Sequence, residues 1–169
     1  LKSTGKRLVL VAPSAGALYP VEIYLAARGI EGLAEGLYHF SVIDFSLELL
    51  RPGIPEGLPA PALILTGVFF RSAWKYRDRA FRYCLLDAGH AAENFMLAGR
   101  TMGMSPVFSS EFDDGPVNAA LHLDPSREAA LALIHLEGAG DIPSSGPTLA
   151  PETYPLSEPV APREQVFDL

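Results

Sequence analysis

The sequence has 169 residues, 49% of them hydrophobic and 20% charged, and its formal net charge is −7. This balance is typical of one folded domain, and its apolar runs are far shorter than the roughly 20 residues of a membrane-spanning helix. Because the negative charge disfavours nucleic-acid phosphates and no secretory signal pattern is present, we expect a cytoplasmic protein that binds neither nucleic acid nor membrane.

The first third of the chain predicts a turn and three strands. Ser14, in the small-residue stretch before Pro20, is positioned to cap a short helix. Residues 21–27 alternate apolar and polar side chains, which indicates a half-buried strand. Residues 37–40 and 46–50 are predicted to form two further short strands of a hairpin or meander.

The rest of the folded part predicts a central strand followed by helices. Residues 62–70 form a continuous apolar run, typical of a buried strand. Residues 72–102 contain no proline and repeat apolar side chains in three- and four-residue steps, which predicts one long helix or two joined helices. We expect a short strand at 107–112, a helix opened by Asp113 to Pro116, and a buried strand at 129–136.

Two regions follow from this order of elements. Residues 1–140 are predicted to form an α+β domain, because strands precede and separate the helices without a strict strand–helix alternation. Residues 141–169 contain six prolines with little periodicity, which predicts an extended C-terminal tail. Since the sequence begins at Leu1 within apparently folded sequence, we expect a segment upstream of it.

The turn before residue 21 is the first candidate site. It is rich in small residues at a predicted helix start, where backbone N–H groups can approach a planar or anionic ligand. Its residues are Pro13, Ser14, Ala15, Gly16 and Ala17. A capped turn needs no ligand, so this pattern alone is weak evidence. Ser14 lies outside a G-x-S-x-G motif, which argues against a hydrolase nucleophile.

Lys75 and Tyr76 are the second candidate site. An amine beside a phenol supplies a proton acceptor and a proton donor. The alternative is an ordinary helix turn on the surface. A basic cluster surrounds the pair, with Asp78 inside it, and its members are Arg71, Lys75, Arg77, Arg79 and Arg82.

Metal binding is the least supported possibility. Asp87, His90 and Glu93 follow one another in three-residue steps, but a bundle-type metal site requires a second such set. Cys84 is the only cysteine, which excludes an intrachain disulfide and a thiolate metal cluster. We therefore predict no metal and a buried, inert Cys84.

Several segments in this order resemble the nitroreductase superfamily of FMN enzymes, and within it the SagB-type branch that includes azoline oxidases of thiazole/oxazole-modified peptides. The resemblance covers most of residues 7–138. Its segments are residues 12–20 and 22–24, the Gly-Leu-Tyr-His-Phe stretch at 36–40, residues 71–76 and 82–83, residues 85–91 with Asn94, and residues 112–114.

The resemblance implies a nitroreductase-like fold, with a central mixed or antiparallel sheet flanked by helices. It also implies a homodimer with FMN at its interface. Pro13, Ser14, Ala15, Gly16 and Ala17 would line the flavin edge. Ser109, Ser110 and Glu111 match a loop that approaches the reactive flavin nitrogen and is usually glycine-rich in the family. The arginine-rich N-terminal segment that binds the FMN phosphate in the family is apparently missing here.

Three functions remain open on this basis. The first is an FMN-dependent oxidoreductase that oxidises azolines in a peptide, in which Lys75 and Tyr76 match the family's catalytic pair. The second is a reductase of nitro compounds or quinones that uses NAD(P)H. The third is a degenerate, flavin-free binding or scaffolding subunit. The substrate is accordingly a small molecule or a peptide.

Overall fold

The computed structural model of the protein describes residues 12–137. Its strands are β1 (Val21–Ala27), β2 (Gly36–Ser41), β3 (Ser46–Pro52), β4 (Ala62–Val68), β5 (Ser105–Ser109) and β6 (Glu128–Glu137). Its α-helices are α1 (Phe70–Tyr76), α2 (Ala80–Thr101) and α3 (Asp114–Ala120), and single 3-10 turns cover Ala15–Ala17 and Arg77–Arg79. The predicted tail at 141–169 lies outside the described residues.

The described strands form one antiparallel sheet. Their order is β3-β2-β1-β4-β6-β5, and each neighbouring pair runs antiparallel. This confirms the α+β class and the predicted β2–β3 hairpin. Of the two sheet types that the resemblance implied, mixed or antiparallel, the described sheet is antiparallel. The predicted central strand is also confirmed, because β4 pairs with both β1 and β6 and buries Ala62, Ile64 and Leu65 completely.

Helices cover both faces of the sheet. Side chains alternate between the faces, so neighbouring residues of one strand enter different cores. Ile64 of β4 packs in a cluster with Val117 of α3, whereas Leu65 packs in a cluster with Ala92 and Met96 of α2. The sheet therefore lies between α2 on one side and α3 on the other.

The segment predicted as one or two helices at residues 72–102 is two helices. Arg77 ends α1 with φ 49° and ψ −128°, and a 3-10 turn connects α1 to α2. Of the residues whose three- and four-residue spacing predicted the buried side, Ala88, Ala92 and Met96 are buried, whereas Leu85 and Gly89 are exposed. Cys84 is buried, as predicted. None of the helices in the described part of the chain combines the length and apolar character that crossing a bilayer requires.

The strand predicted at residues 107–112 lies earlier, at Ser105–Ser109. It includes Pro106, which an edge strand tolerates because one side of its backbone is unpaired. Phe112 instead packs against the core on the α3 side. The predicted acidic cap is confirmed, since the Asp113 carboxylate accepts a hydrogen bond from the Gly115 N–H at 3.1 Å.

A polar network on the α3 side of the sheet connects three strands to α1. The Glu22 carboxylate of β1 lies 2.8 Å from His39 Nε2 on β2 and pairs with Arg71 of α1. His39 Nδ1 lies 3.5 Å from the Glu48 carboxylate on β3. Glu22 thus contacts both Arg71 and His39, and Glu48 contacts the other ring nitrogen of His39, in a partly buried site.

These contacts shift two pKa values in opposite directions. Burial alone would raise the pKa of Glu22, but the hydrogen bond with His39 and the charge of Arg71 together lower it below its ordinary value. The hydrogen bond with Glu22 raises the pKa of His39, against the opposing effect of burial. The charged forms of both side chains are therefore stabilised in the folded protein.

Replacing Glu22 with Gln tests the contribution of this network. We expect the free energy of unfolding to fall by about 1–3 kcal/mol, because His39 and Arg71 lose a shared charged acceptor. Denaturant unfolding measures this loss. Glu35→Gln is the matched control, since the Arg28–Glu35 pair at 3.6 Å is half exposed and should contribute less than about 1 kcal/mol. Equal losses in the two variants would contradict the expectation.

The loss of unfolding free energy in Glu22→Gln should depend on pH. The His39 contribution is fully present below the ordinary histidine pKa of 6.5 and is lost as the pH rises through the raised folded-state pKa. The Glu22 contribution is present above the ordinary pKa of 4.5 and is lost as the pH falls through the lowered one. The advantage of the unmodified protein over Glu22→Gln should therefore be largest between these two values.

Candidate functional site

The turn that leads into β1 has a strained backbone. Gly16, Ala17 and Tyr19 have φ values of 64°, 55° and 46°. For non-glycine residues this region costs about 1–2 kcal/mol, so surrounding contacts must hold the turn. Backbone strain of this kind is common at functional sites.

The buried Asp87 of α2 holds the start of this turn. Ser14 Oγ donates to Asp87 Oδ2 at 2.5 Å, and the Ala15 N–H donates to Asp87 Oδ1 at 3.2 Å. Ser14 Oγ also accepts a hydrogen bond from the Tyr19 N–H at 2.9 Å. Ser14 occupies the position before the short helix, but its side chain makes no capping bond. The predicted capping role is therefore wrong, and the hydroxyl instead connects the turn to α2.

Arg71 of α1 holds the end of the turn. One of its guanidinium nitrogens donates to the Tyr19 carbonyl at 3.1 Å, and the same group pairs with Glu22. The Val68 N–H donates to the Pro20 carbonyl at 2.8 Å, which joins the turn to the end of β4. The turn is thus fixed to both helices and to the sheet.

Gly16 is the point where the turn meets the predicted proton-handling pair. A Cβ atom at Gly16 would lie 2.6 Å from Tyr76 Oη and 2.7 Å from Lys75 Nζ. A side chain at Gly16 would displace the ends of Lys75 and Tyr76, so glycine is what permits this approach together with a φ of 64°. The structure therefore brings the two candidate sites together although 59 residues separate Gly16 from Lys75 in the chain.

The pair itself is mutually ordered and accessible. Lys75 Nζ lies 5.4 Å from the centroid of the Tyr76 ring, and the Tyr83 ring lies 4.5 Å from that of Tyr76. Lys75 is exposed, and Tyr76 is partly buried. An amine and a phenol at one accessible point beside an exposed glycine can accept and donate a proton to a bound molecule.

The third predicted segment lies elsewhere on the sheet. Ser109 ends β5, and its hydroxyl donates to the Glu111 carbonyl at 3.2 Å. The turn leads into β1, and the sheet order places β5 three strand positions from β1. At about 4.8 Å per position this amounts to roughly 14 Å. Ser109, Ser110 and Glu111 are therefore not brought to Gly16 within one chain.

Sequence reasoning missed the role of Asp87 and the contacts of Arg71. Asp87 was considered with His90 and Glu93 as a metal ligand, but these side chains diverge. Asp87 is buried against the turn, whereas His90 is exposed and its Nδ1 lies 2.7 Å from the Leu86 carbonyl. The sequence signal that could have found Asp87 is its place among the apolar residues of the buried side of α2, where an acidic side chain needs hydrogen-bond donors.

Several known proteins are similar in sequence to this chain. MJ1384 of Methanocaldococcus jannaschii, named as a nitroreductase, is 31% identical over 71% of the chain and 67% of its own length. The trifolitoxin-processing protein TfxB of Rhizobium leguminosarum bv. trifolii is 32% identical over 77% of the chain. The microcin B17-processing protein McbC of Escherichia coli is 28% identical over 70% of it. The chain spans only 40% of TfxB and 50% of McbC.

A solved structure supports the fold. A crystal structure from Anabaena variabilis, described as a nitroreductase, aligns with 89% of the chain at a TM-score of 0.65 and 33% sequence identity. The aligned part makes up 34% of that protein. The family model named Nitroreductase family matches residues 5–138. This match covers well over half of the sequence, so the chain belongs to the nitroreductase family and, by its similarity to TfxB and McbC, to its SagB-type branch.

Proposed function

We propose that this chain is part of an FMN-dependent oxidoreductase that oxidises azoline rings in a peptide. The approach of Lys75 and Tyr76 to Gly16 carries the proposal, because it puts an amine and a phenol beside the exposed backbone of the turn. FMN would accept the hydride in such a reaction, while the protein supplies binding, orientation and electrostatics. Two relatives, TfxB and McbC, are named for processing peptide products, which supports a peptide substrate.

The described residues fit a flavin ring at the turn. Pro13 and Gly16 are exposed, and Gly16 presents backbone without a side chain. Because Asp87 and Arg71 hold the turn, its backbone is fixed before any ligand binds, which reduces the entropy lost on binding. Residues 13–17 would hold the ring edge, and Lys75 with Tyr76 would face the substrate.

Ser109, Ser110 and Glu111 fit the proposal when a second copy of the chain completes the site. They lie about 14 Å of sheet width away from the turn of their own chain, at a strand spacing of about 4.8 Å. A homodimer in which each cofactor contacts both chains would use the turn of one copy and the β5 end of the other. We therefore include the homodimer in the proposal.

The outer side of α2 supports this homodimer. Leu86 and Leu97 are 57% and 51% exposed. They are separated by 11 residues, which is about three helical turns, so they lie on the same side of α2. Burying both against a second copy would remove apolar surface from water.

Lys75 and Tyr76 would handle the proton that leaves the azoline ring carbon. One side chain accepts this proton while the other donates a hydrogen bond to the ring heteroatom. The electron pair of that C–H bond stays on the ring, and a hydrogen of the neighbouring carbon leaves with its own bonding pair as hydride, which FMN would accept. A double bond then forms between the two carbons, which makes the ring an azole. Either side chain alone would leave one of these two tasks undone.

Two other functions remain as alternatives. The similarity to MJ1384 favours a reductase that takes electrons from NAD(P)H and passes them to nitro compounds or quinones. Turnover of NADPH with a nitroaromatic, but not of an azoline peptide, would select it. The substitution of Ser109, Ser110 and Glu111 for a glycine-rich loop favours a flavin-free subunit. A full-length protein that stays colourless after incubation with FMN would select that function.

Lys75→Ala and Tyr76→Phe test the proton-handling pair. We expect each to lower azoline turnover by about 100-fold or more, because general acid–base groups contribute roughly 10²–10⁴. Bound FMN, measured by absorbance after purification, should stay near one per chain. Retention of full oxidase activity in both variants would exclude this role.

Gly16→Ala tests the close approach at the turn. The new Cβ must displace Lys75 Nζ and Tyr76 Oη, so we expect turnover to fall at least about tenfold, as a misplaced catalytic group predicts. Gly29→Ala is the matched control, because Gly29 has a similar φ of 66° but no atom within 4 Å of its added Cβ. Both variants should lose about 1 kcal/mol of folding stability. Equal activities would contradict the proposed contact.

The double variant Leu86→Glu/Leu97→Glu tests the homodimer. Charges at these positions should prevent association, so light scattering after size-exclusion chromatography should show a monomer with reduced FMN content. Ile43→Glu is the control, because Ile43 is 89% exposed at the β2–β3 turn and away from α2. A dimer that survives in the double variant would exclude this surface.

A further inference from the structure

The corner between α1 and α2 carries a basic surface. We define it by the exposed side chains of Arg77, Arg79 and Arg82. Within residues 12–137 no carboxylate lies within salt-bridge distance of these three guanidinium groups, whereas Arg71 is already paired with Glu22. A chain of net charge −7 thus concentrates three arginines at one place, with the exposed Asp78 as the acidic residue among them.

The backbone at this corner is unfavourable for arginine. Arg77 has φ 49°, a region where a residue with a Cβ costs about 1 kcal/mol more than glycine. Its N–H donates to the Ala73 carbonyl and ends α1, a contact that glycine would make equally well. The Arg77 side chain therefore does not serve the geometry of the corner, and its remaining contribution is charge.

Exposed aromatic side chains accompany the basic surface. Phe70, Trp74 and Phe81 expose 60%, 50% and 52% of their surfaces. Phe81 stacks edge-on against Phe69 at 5.7 Å, which orients its ring while leaving half of it accessible. Aromatic rings interleaved with arginines suit a peptide chain, because they contact its backbone and apolar side chains beside its charges.

The basic surface begins directly beside the proposed reacting pair. Arg77 follows Tyr76 in the chain, and Arg82 lies seven residues beyond Lys75. Arg82 directly precedes Tyr83, whose ring lies 4.5 Å from the Tyr76 ring. The surface therefore starts within about 10 Å of the pair, the length of about three residues of extended peptide. A peptide whose ring contacts Lys75 and Tyr76 would place its neighbouring residues over the arginines.

From this juxtaposition we propose that the basic surface binds acidic residues within about three positions of the reacting ring in the peptide substrate. This inference rests on the proposed function and specifies its substrate as an acidic peptide. Exposed charges of this kind act mainly on encounter rate and selectivity, and salt screens them over about 8 Å at physiological ionic strength. The preference should therefore weaken as salt is added.

Synthetic fluorescent peptides with one central thiazoline test the proposal. They carry three Glu, three Ser or three Lys residues on the N-terminal or the C-terminal side of the ring. We expect one Glu-flanked peptide to bind the full-length protein at least about tenfold more tightly than its Lys-flanked counterpart, with a smaller ratio at high salt. Fluorescence anisotropy measures binding independently of turnover.

The double variant Arg79→Gln/Arg82→Gln should reduce this Glu-over-Lys ratio at least about threefold. Arg100→Gln is the matched control and should retain it, because Arg100 is exposed in the last turn of α2, remote from the corner. Equal binding of Glu- and Lys-flanked peptides, or an unchanged ratio in the double variant, would overturn the proposal. So would loss of FMN from the double variant with the ratio intact, since the arginines would then serve the cofactor phosphate.

The same measurements separate this inference from the proposed function. If no peptide is oxidised and no FMN is bound, the proposed function fails whatever the binding ratios are. If Glu- and Lys-flanked peptides are both oxidised with the same kcat/KM, the proposed function stands and the acidic preference fails.

Discussion

The candidate site depends first on the two hydrogen bonds that Asp87 accepts from Ser14 and Ala15. A turn with three residues at positive φ would relax if nothing held it. Asp87 can hold it because α2 is fixed to the sheet by buried small side chains such as Ala92. The core therefore sets the position of the turn, and burial of the carboxylate is compensated by charge-assisted hydrogen bonds from the turn.

A second set of contacts fixes α1, and with it Lys75. Arg71 connects the end of the turn to Glu22, and Glu22 in turn binds His39 on the next strand. On the same face, Thr66 Oγ1 donates to the Glu128 carboxylate at 2.6 Å. Lys75 and Tyr76 are thus carried by a short helix whose position is set by charges on several strands. Such a helix of two turns would not be stable by itself.

Different elements of the fold contribute different parts of the candidate site. The antiparallel sheet and α2 provide a rigid support, the turn provides exposed backbone, and the short α1 provides the ionisable groups. The β5 end lies three strand positions from the turn within one chain, and the proposed homodimer would bring the two segments together. The corner beyond Tyr76 adds positive charge outside the reacting point, where it can select among substrates without contacting the chemistry.

Sequence alone determined most of the strands, the helical character of residues 72–102, the buried Cys84 and the acidic cap at Asp113, because alternation, helical periodicity and capping are local properties of the chain. The break at Arg77 that divides the helical segment, and the exact place of β5, came only from the structure. It also selected Gly16, Lys75 and Tyr76 as candidates. Only the tertiary structure placed them at one point and assigned Asp87 and Arg71 to the turn. Asp87 lies 73 residues from Ser14, and contacts over such separations depend on how the sheet and α2 pack together, which no local pattern encodes.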